Sequence, residues 1–217
     1  MQLRVAVFGH SHVRNLGAFV HEPLKMIPES FRKDTDFNCE IQFIGEGGLR
    51  VSPRTDRAKM KQAAAERRLR EYRPHVLVVM LGDNDVPRWS RDPKVIADSI
   101  FDYCVSLQHQ LDITAMSILS LLPRHGQAEY NRQAAFINTR LQALCHSAPS
   151  QDRFCEFQHL RSRALSCTLP TDQKYFMPDK VHLSTSGNVN LYKQVKRAVR
   201  VVAYEYRRRH RHESDTE

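Results

Sequence analysis

Residues Val76–Leu81 read VLVVML, and Gly82, Asp83 and Asn84 follow them directly. A nearly continuous apolar run that ends at a glycine is typical of a β-strand buried on both faces of a parallel sheet. In open parallel sheets, ligands bind outside the carboxyl ends of the strands. The polar residues after this strand are therefore candidates for a functional site.

Similar short runs alternate with longer helical patterns on both sides of this strand. The predicted strands are Leu3–Phe8, Cys39–Ile44, Val76–Leu81, Ile113–Leu119 and Phe154–Phe157. The predicted helices cover about Arg14–Ile27, Arg57–Tyr72, Val95–Gln110, Glu129–His146 and Ser186–Arg208. This alternation predicts an α/β fold with a parallel sheet and helices on both faces. The stretch Ser162–Pro178 lacks periodicity and is predicted to be a surface loop.

The length of 217 residues favours one domain, 1–206, and a charged, disordered tail, 207–217. No apolar run approaches the ~20 residues that span a bilayer, so no transmembrane segment is predicted. The first residues lack the pattern of a signal peptide, and we expect an intracellular, cytoplasmic protein. The five cysteines show no CxxC spacing, which argues against a disulfide framework or a zinc site.

Four small patches stand at the ends of these predicted elements. They are Gly9-His10-Ser11, Gly47-Gly48, Gly82-Asp83-Asn84 and Asp179-Lys180-Val181-His182. In the flavodoxin-like strand order 2-1-3-4-5, strand 1 lies between strands 2 and 3, so the first three patches would meet at one crevice. Together the four patches supply a nucleophile, oxyanion donors, a base and a carboxylate. That inventory suits acyl transfer to water.

Each candidate residue has a specific role in such a site. Ser11 would lie near a helix N-terminus, where free N–H groups favour developing negative charge. Gly48 can bring a bare N–H close to a ligand, and the amide of Asn84 donates without adding charge. The spacing of Asp179 and His182 places both side chains on one side of a turn. His182 could then accept the Ser11 proton while Asp179 fixes the ring tautomer.

Taken singly, these residues have simpler interpretations. Ser11 is a good helix cap, and Asp83 and Asn84 are common in turns. Gly47-Gly48 is typical of a tight turn, Asp179 could be a cap, and His182 could be a surface histidine. His12 could line the mouth of the site, although an early-helix residue is the simpler interpretation. The joint order of the patches, each at the end of an element, favours a shared site.

These blocks resemble those of the SGNH, or GDSL-like, hydrolase family, and they are found in order over nearly the whole chain. The resemblance implies a three-layer αβα sandwich with a five-stranded parallel sheet in the flavodoxin-like order 2-1-3-4-5. It also implies a cofactor-independent serine esterase for a small-molecule or lipid-like ester, with Ser11, His182 and Asp179 as the catalytic triad. Ser11, Gly48 and Asn84 would form the oxyanion hole, with Gly47 as an alternative to Gly48.

The first block departs from the family, which usually has Asp where this chain has His10. Because that Asp supports the nucleophile loop and does not attack the substrate, the departure leaves activity open. The opening GHSHVRNL is also similar, more weakly, to SGNH domains of proteins from non-LTR retrotransposons. The His10 departure and the basic C-terminal tail motivate an alternative, namely a catalytically weak or inactive SGNH-fold binding module that is associated with nucleic acid as in those retrotransposon proteins.

The chain is basic, with a net charge of +9 and a pI near 9.5. Most of the charged residues in the Lys193–Arg211 stretch are positive. This suits either a solvated helix end or weak, non-specific contact with phosphates. Histidines near predicted loops (His10, His12, His21, His125) have no supporting carboxylate or cysteine spacing, so no metal site is predicted. A hydrolase of acetyl esters on glycans is a third hypothesis, which would require a secretory route.

Overall fold

A computed structural model describes residues 2–21, 39–86, 92–147, 153–160 and 162–214. The strands in these ranges are β1 (Leu3–Gly9), β2 (Cys39–Gly45), β3 (Val76–Met80), β4 (Ala115–Leu119) and β5 (Phe154–Gln158). The α-helices are α1 (Ser11–His21), α2 (Asp56–Tyr72), α3 (Pro93–Gln110), α4 (Ala128–Ser147) and α5 (Thr185–Ser214). The predicted surface loop contains two 3₁₀ turns, Arg163–Leu165 and Gln173–Tyr175.

The strands form one sheet in the order β2-β1-β3-β4-β5, and every neighbouring pair is parallel. The predicted strand order is therefore confirmed. The central strand β3 is buried at every residue from Val76 to Met80, as its apolar run predicts. In contrast, β2 is exposed along most of its first half because it lies at an edge of the sheet.

Helices cover both faces of the sheet, which gives the predicted three layers. Successive side chains of a strand point to opposite faces. Leu77 and Val79 pack in a cluster with residues of α2, α3 and α4, whereas Val78 packs with residues of α1 and α5. The alternation along β3 thus divides the core into two apolar layers, one on each side of the sheet.

Several element boundaries differ from the prediction. Helix α1 begins at Ser11, earlier than expected, and its predicted continuation to Ile27 lies outside the described residues. Strand β4 begins at Ala115 and not at Ile113, because the Ile113 N–H donates to the Gln108 carbonyl and closes the turn after α3. In that turn Asp112 has a left-handed φ of 52°.

The last helix, α5, continues to Ser214 instead of ending near Arg208. Glu205 accepts hydrogen bonds from Arg208 and Arg209, each at 3.2 Å, and pairs at these spacings stabilise helices. Residues 207–214 are therefore helical, where a disordered tail was expected. The division of the chain at residue 206 stays a prediction. None of the helices that the structure describes has the length and apolar character to cross a membrane.

Candidate active site

Three of the predicted site residues form a continuous hydrogen-bonded chain. His182 Nε2 lies 3.1 Å from Ser11 Oγ, and His182 Nδ1 lies 2.6 Å from Asp179 Oδ2. Because the carboxylate can only accept, the imidazole must carry its proton on Nδ1, and Nε2 of the neutral ring accepts from the Ser11 hydroxyl. Residues 171 positions apart in the sequence are thus aligned for transfer of the serine proton.

The turn that carries Asp179 and His182 holds both side chains in place. Asp179 Oδ1 accepts from the N–H groups of Val181 and His182, both at 2.9 Å. Partial desolvation opposes ionisation of Asp179, but hydrogen bonds from the His182 ring and these N–H groups outweigh it and lower its pKa to about 2. Lys180 completes the turn with a left-handed φ of 62°. The carboxylate is therefore charged and oriented before any substrate binds.

The loop that carries Ser11 is shaped by a close approach between two strands. A Cβ on Gly9 would stand 2.1 Å from the Met80 carbonyl oxygen, so only glycine fits there. Immediately afterwards the chain turns into α1, and the His10 carbonyl accepts from the Val13 N–H at 3.0 Å. Ser11 is the first residue of α1, where backbone N–H groups have no acceptor within the helix. Its N–H and its hydroxyl thus lie together at the helix N-terminus.

Gly48 and Asn84 lie in two loops that are joined to each other. Asn84 Nδ2 donates to the Leu49 carbonyl at 3.0 Å, and the buried Asp85 carboxylate accepts from the Val51 N–H at 3.1 Å. Gly48 adopts φ = 76°, which favours glycine. In the ranges that the structure describes, neither Gly48 nor Asn84 hydrogen-bonds to Ser11 or His182. One N–H of the Asn84 amide remains for another acceptor.

Beneath the serine lies a second histidine–aspartate pair, which the sequence did not predict. His10 Nε2 donates to Asp83 Oδ2 at 2.7 Å, and both side chains are buried. Asp83 Oδ1 also accepts from the Tyr130 hydroxyl at 3.0 Å and the Leu122 N–H at 3.1 Å. Arg124 donates to the Asp83 carbonyl at 2.8 Å. Asp83 is therefore an anchor that joins the loops after β1, β3 and β4, and more than a turn former.

These contacts also explain why the buried Asp83 carboxyl group is ionised. Burial alone would raise the pKa of Asp83, but the neighbouring His10 and its hydrogen bond lower it to about 2. The sequence signal for this role is the position of Asp83 directly after a fully buried strand. A carboxylate at such a place must find donors within the protein, because water does not reach it.

His12 lies between the two histidine–aspartate pairs. Its ring centroid is 5.2 Å from that of His10 and 5.6 Å from that of His182. The side chain is buried, and burial, followed by the neighbouring His10, lowers the pKa of His12 to about 3. His12 is thus a neutral imidazole that packs behind the candidate base. It is an early-helix residue, as expected, but its buried position was not predicted.

Among the residues that the structure describes, no group of three or more His, Cys, Asp or Glu side chains is arranged to hold a metal ion. The histidines near the site are instead used in hydrogen bonds and ring contacts. Every group in the hydrogen-bonded chain from Asp179 to Ser11 belongs to the protein itself.

Comparisons with known proteins agree with this architecture. No family model matches the chain, and no curated protein matches it. Among solved structures, a carbohydrate esterase of family 3 from Talaromyces cellulolyticus has a TM-score of 0.64 at 12% identity, over 94% of this chain and 99% of its own. A GDSL-like lipase from Bacteroides thetaiotaomicron has a TM-score of 0.60 at 16% identity, over 91% and 87%.

An acetyl xylan esterase has a TM-score of 0.64 at 17% identity, over 91% of this chain and 100% of its own. The chain has the fold of the SGNH, or GDSL-like, hydrolases. The predicted resemblance is therefore confirmed for the fold, which is what likeness at such low identity shows. These comparisons do not support the weaker similarity to retrotransposon proteins.

Proposed function

We propose that this SGNH-fold protein is a serine esterase that hydrolyses carboxylic esters without a cofactor. The observation that carries the proposal is the hydrogen-bonded chain from Asp179 through His182 to Ser11, with distances of 2.6 and 3.1 Å. A serine, a histidine and an aspartate connected in this way are the groups that acyl transfer requires. The position of Ser11 at the start of a helix further supports a role as nucleophile.

The proposed reaction has two steps. Ser11 Oγ attacks the ester carbonyl while His182 Nε2 takes its proton, and the ionised Asp179 stabilises the imidazolium that forms. His182 then protonates the leaving alcohol as the carbon–oxygen ester bond breaks, which leaves an acyl-serine. In the second step His182 removes a proton from water as its oxygen attacks the acyl carbon, and it then gives that proton to Ser11 Oγ as the acyl C–Oγ bond breaks, which releases the acid and restores Ser11.

We further propose that the oxyanion of each tetrahedral intermediate is bound by the N–H groups of Ser11 and Gly48 and by the Asn84 amide. The hydrogen bond from Asn84 to the Leu49 carbonyl supports this, since it holds the amide beside the Gly48 loop. Rigid donors cost little reorganisation in the transition state, and one such donor is typically worth about 2.7–4 kcal/mol. Gly47 remains the alternative donor in that loop.

The substrate class proposed here is a small-molecule or lipid-like ester, with acetyl esters as the first to test. The solved structures of the same fold include an acetyl esterase, an acetyl xylan esterase and a GDSL-like lipase. The alternative of an inactive binding module rests on His10 replacing the usual aspartate and on the basic C-terminal tail. The buried His10–Asp83 hydrogen bond argues against it, because His10 supports the nucleophile loop with a different side chain.

The decisive experiment is labelling with a fluorophosphonate probe, followed by mass spectrometry of the modified residue. We expect modification at Ser11, and we expect Ser11→Ala to abolish both labelling and turnover of p-nitrophenyl acetate. Loss of a triad serine typically lowers kcat by about 10⁶-fold. The matched control is Ser106→Ala, since Ser106 is an exposed serine on α3 away from this site. A folded wild-type protein that neither reacts with the probe nor hydrolyses acetyl to octanoyl esters would refute the proposal.

A further inference from the structure

A basic cavity lies at the opposite end of the sheet from Ser11. It has a volume of about 500 Å³, which is within the range of small-molecule sites. Its walls include residues at or just before the starts of three strands, namely Arg4 of β1, His75 before β3 and Thr114 before β4. Since strands rise ~3.3 Å per residue, the length of β1 separates this basic cavity from Ser11 by roughly 20 Å. It is therefore distinct from the candidate active site.

The basic cavity concentrates positive charge. Three arginines and two histidines line it, namely Arg4, Arg70, Arg73, His75 and His210. Its one lining carboxylate, Asp112, already pairs with Arg153 at 2.9 Å, and Arg70 pairs with Glu66 at 3.2 Å. Within the described part of the chain, neither Arg4 nor Arg73 forms an ion pair with a carboxylate. Two guanidinium groups thus face the cavity region without a counter-ion from these residues.

The same residues are held in fixed positions by one another. Arg4 Nε donates to the Arg73 carbonyl at 2.8 Å, and the backbone N–H of Arg4 donates to His75 Nδ1 at 3.0 Å. Because Nδ1 accepts, the neutral His75 ring carries its proton on Nε2, which leaves a second donor. The ring of Tyr206 stacks with the rings of both histidines, and the centroid distances are 5.6 Å to His75 and 4.0 Å to His210. The donors are therefore organised in advance of any ligand.

The basic side chains of the cavity influence one another and the end of helix α2. Burial, followed by the proximity of Arg4 and His210, lowers the pKa of His75, as expected for a partly buried imidazole beside an arginine. Cations near helix C-termini also interact favourably with the helix dipole, and Arg4 in this way binds the carbonyl at the end of α2. This contact with the helix end explains the position of Arg4. It does not explain why additional basic side chains line the cavity around Arg4.

We propose that the basic cavity binds the phosphate group of a small phosphorylated molecule. Arginine presents planar, paired donors that match phosphate oxygens, and several such donors converge here with an imidazole N–H. The volume of about 500 Å³ suits a compact ligand, and this favours a small molecule over the extended backbone of a nucleic acid. This site is independent of ester hydrolysis, so failure of either proposal leaves the other intact.

The test is isothermal titration calorimetry with pyrophosphate at fixed ionic strength. We expect the wild-type protein to bind it and Arg73→Gln to weaken binding roughly tenfold, because Arg73 supplies one charged fork. The matched control is Arg67→Gln, which removes an exposed charge from the same helix α2 outside the cavity, and it should bind within about twofold of wild type. Turnover of p-nitrophenyl acetate should be the same in all three proteins.

Circular dichroism establishes that Arg73→Gln is folded, and His210→Gln provides a second variant from another element of the wall. Absence of pyrophosphate binding at millimolar concentration overturns the proposal. Equal weakening by Arg73→Gln and Arg67→Gln also overturns it, since that result would indicate general surface charge. A ten-nucleotide DNA strand is the second ligand to be titrated. Binding of this strand without binding of pyrophosphate would assign the surface to nucleic acid instead.

Discussion

The molecule contains two histidine–aspartate pairs of nearly the same length that lie in opposite environments. His182 and Asp179 are 2.6 Å apart with side chains 31% and 48% exposed, whereas His10 and Asp83 are 2.7 Å apart with side chains 1% and 6% exposed. An exposed pair can exchange protons with a substrate, while a buried pair can only hold its surroundings together. Burial, and not the pairing itself, thus separates the candidate catalytic group from its support.

The energetic consequences of losing each pair should differ in the same way. Water can replace a lost partner of Asp179, because that carboxylate is on the surface. At Asp83, removing the carboxylate leaves His10, Tyr130 and the Leu122 N–H without an acceptor in a place that water does not reach. We therefore expect substitutions in the exposed pair to affect activity, and substitutions in the buried pair to affect folding.

Among substitutions in the two pairs, the largest expected effect is that of Asp179→Asn on catalysis. The amide cannot stabilise an imidazolium and favours the wrong tautomer of His182, so kcat should fall by roughly 10⁴-fold. The free energy of unfolding should stay within about 1 kcal/mol of wild type, because the pair is exposed. Ester turnover and urea denaturation measure the two quantities. Retention of more than a tenth of the wild-type kcat would show that Asp179 neither orients His182 nor stabilises its imidazolium during catalysis.

The next effect is on stability, from Asp83→Ala. Three buried donors lose their acceptor, and because each unsatisfied donor typically costs about 1–3 kcal/mol, the unfolding free energy should fall by about 3 kcal/mol or more. The matched control is Asp179→Ala, which should cost no more than about 1 kcal/mol. Urea denaturation of both variants makes the comparison. If the two alanine variants are equally destabilised, burial is not the difference between the pairs.

Much of the fold could be predicted from local patterns. The run at Val76–Leu81 required a buried central strand, and the alternation of strands with helices required parallel pairing. Boundaries were harder, because they depend on single hydrogen bonds such as the one that closes the turn before β4. The end of α5 was missed because charge alone indicated disorder, whereas Glu205 pairs with the arginines that follow it.

The candidate site shows the same division. Ser11, Asp179 and His182 could be proposed together because each occupies an expected position after a strand or before a helix. The partners of Asp83 could not, since Tyr130 is 47 residues away and reaches it only when α4 packs on the sheet. The burial of His12 could not be predicted for a similar reason, because its ring packs against that of His182, which lies far away in the sequence.

The smallest effect, and the sharpest test of the boundary between the two pairs, is the pH dependence of stability at His12. Its folded pKa is about 3, below the ordinary value of 6.5. Below pH 6.5 the unfolded chain therefore binds a proton at His12, whereas the folded protein binds it only near pH 3. The free energy of unfolding must consequently fall as the pH drops from 6.5 towards 3. Between pH 6.5 and 5 this one group should cost about 2 kcal/mol.

His12→Gln removes this titration. The variant should be less stable than wild type near neutral pH, but its stability should decrease less steeply between pH 6.5 and 5, by about 2 kcal/mol over the interval. Urea denaturation at several pH values gives both slopes, and taking their difference cancels the contributions of the other histidines. Parallel slopes would mean that His12 accepts a proton in the folded protein. His12 would then belong to the exposed site together with the His182–Asp179 pair. Only the His10–Asp83 pair would remain buried.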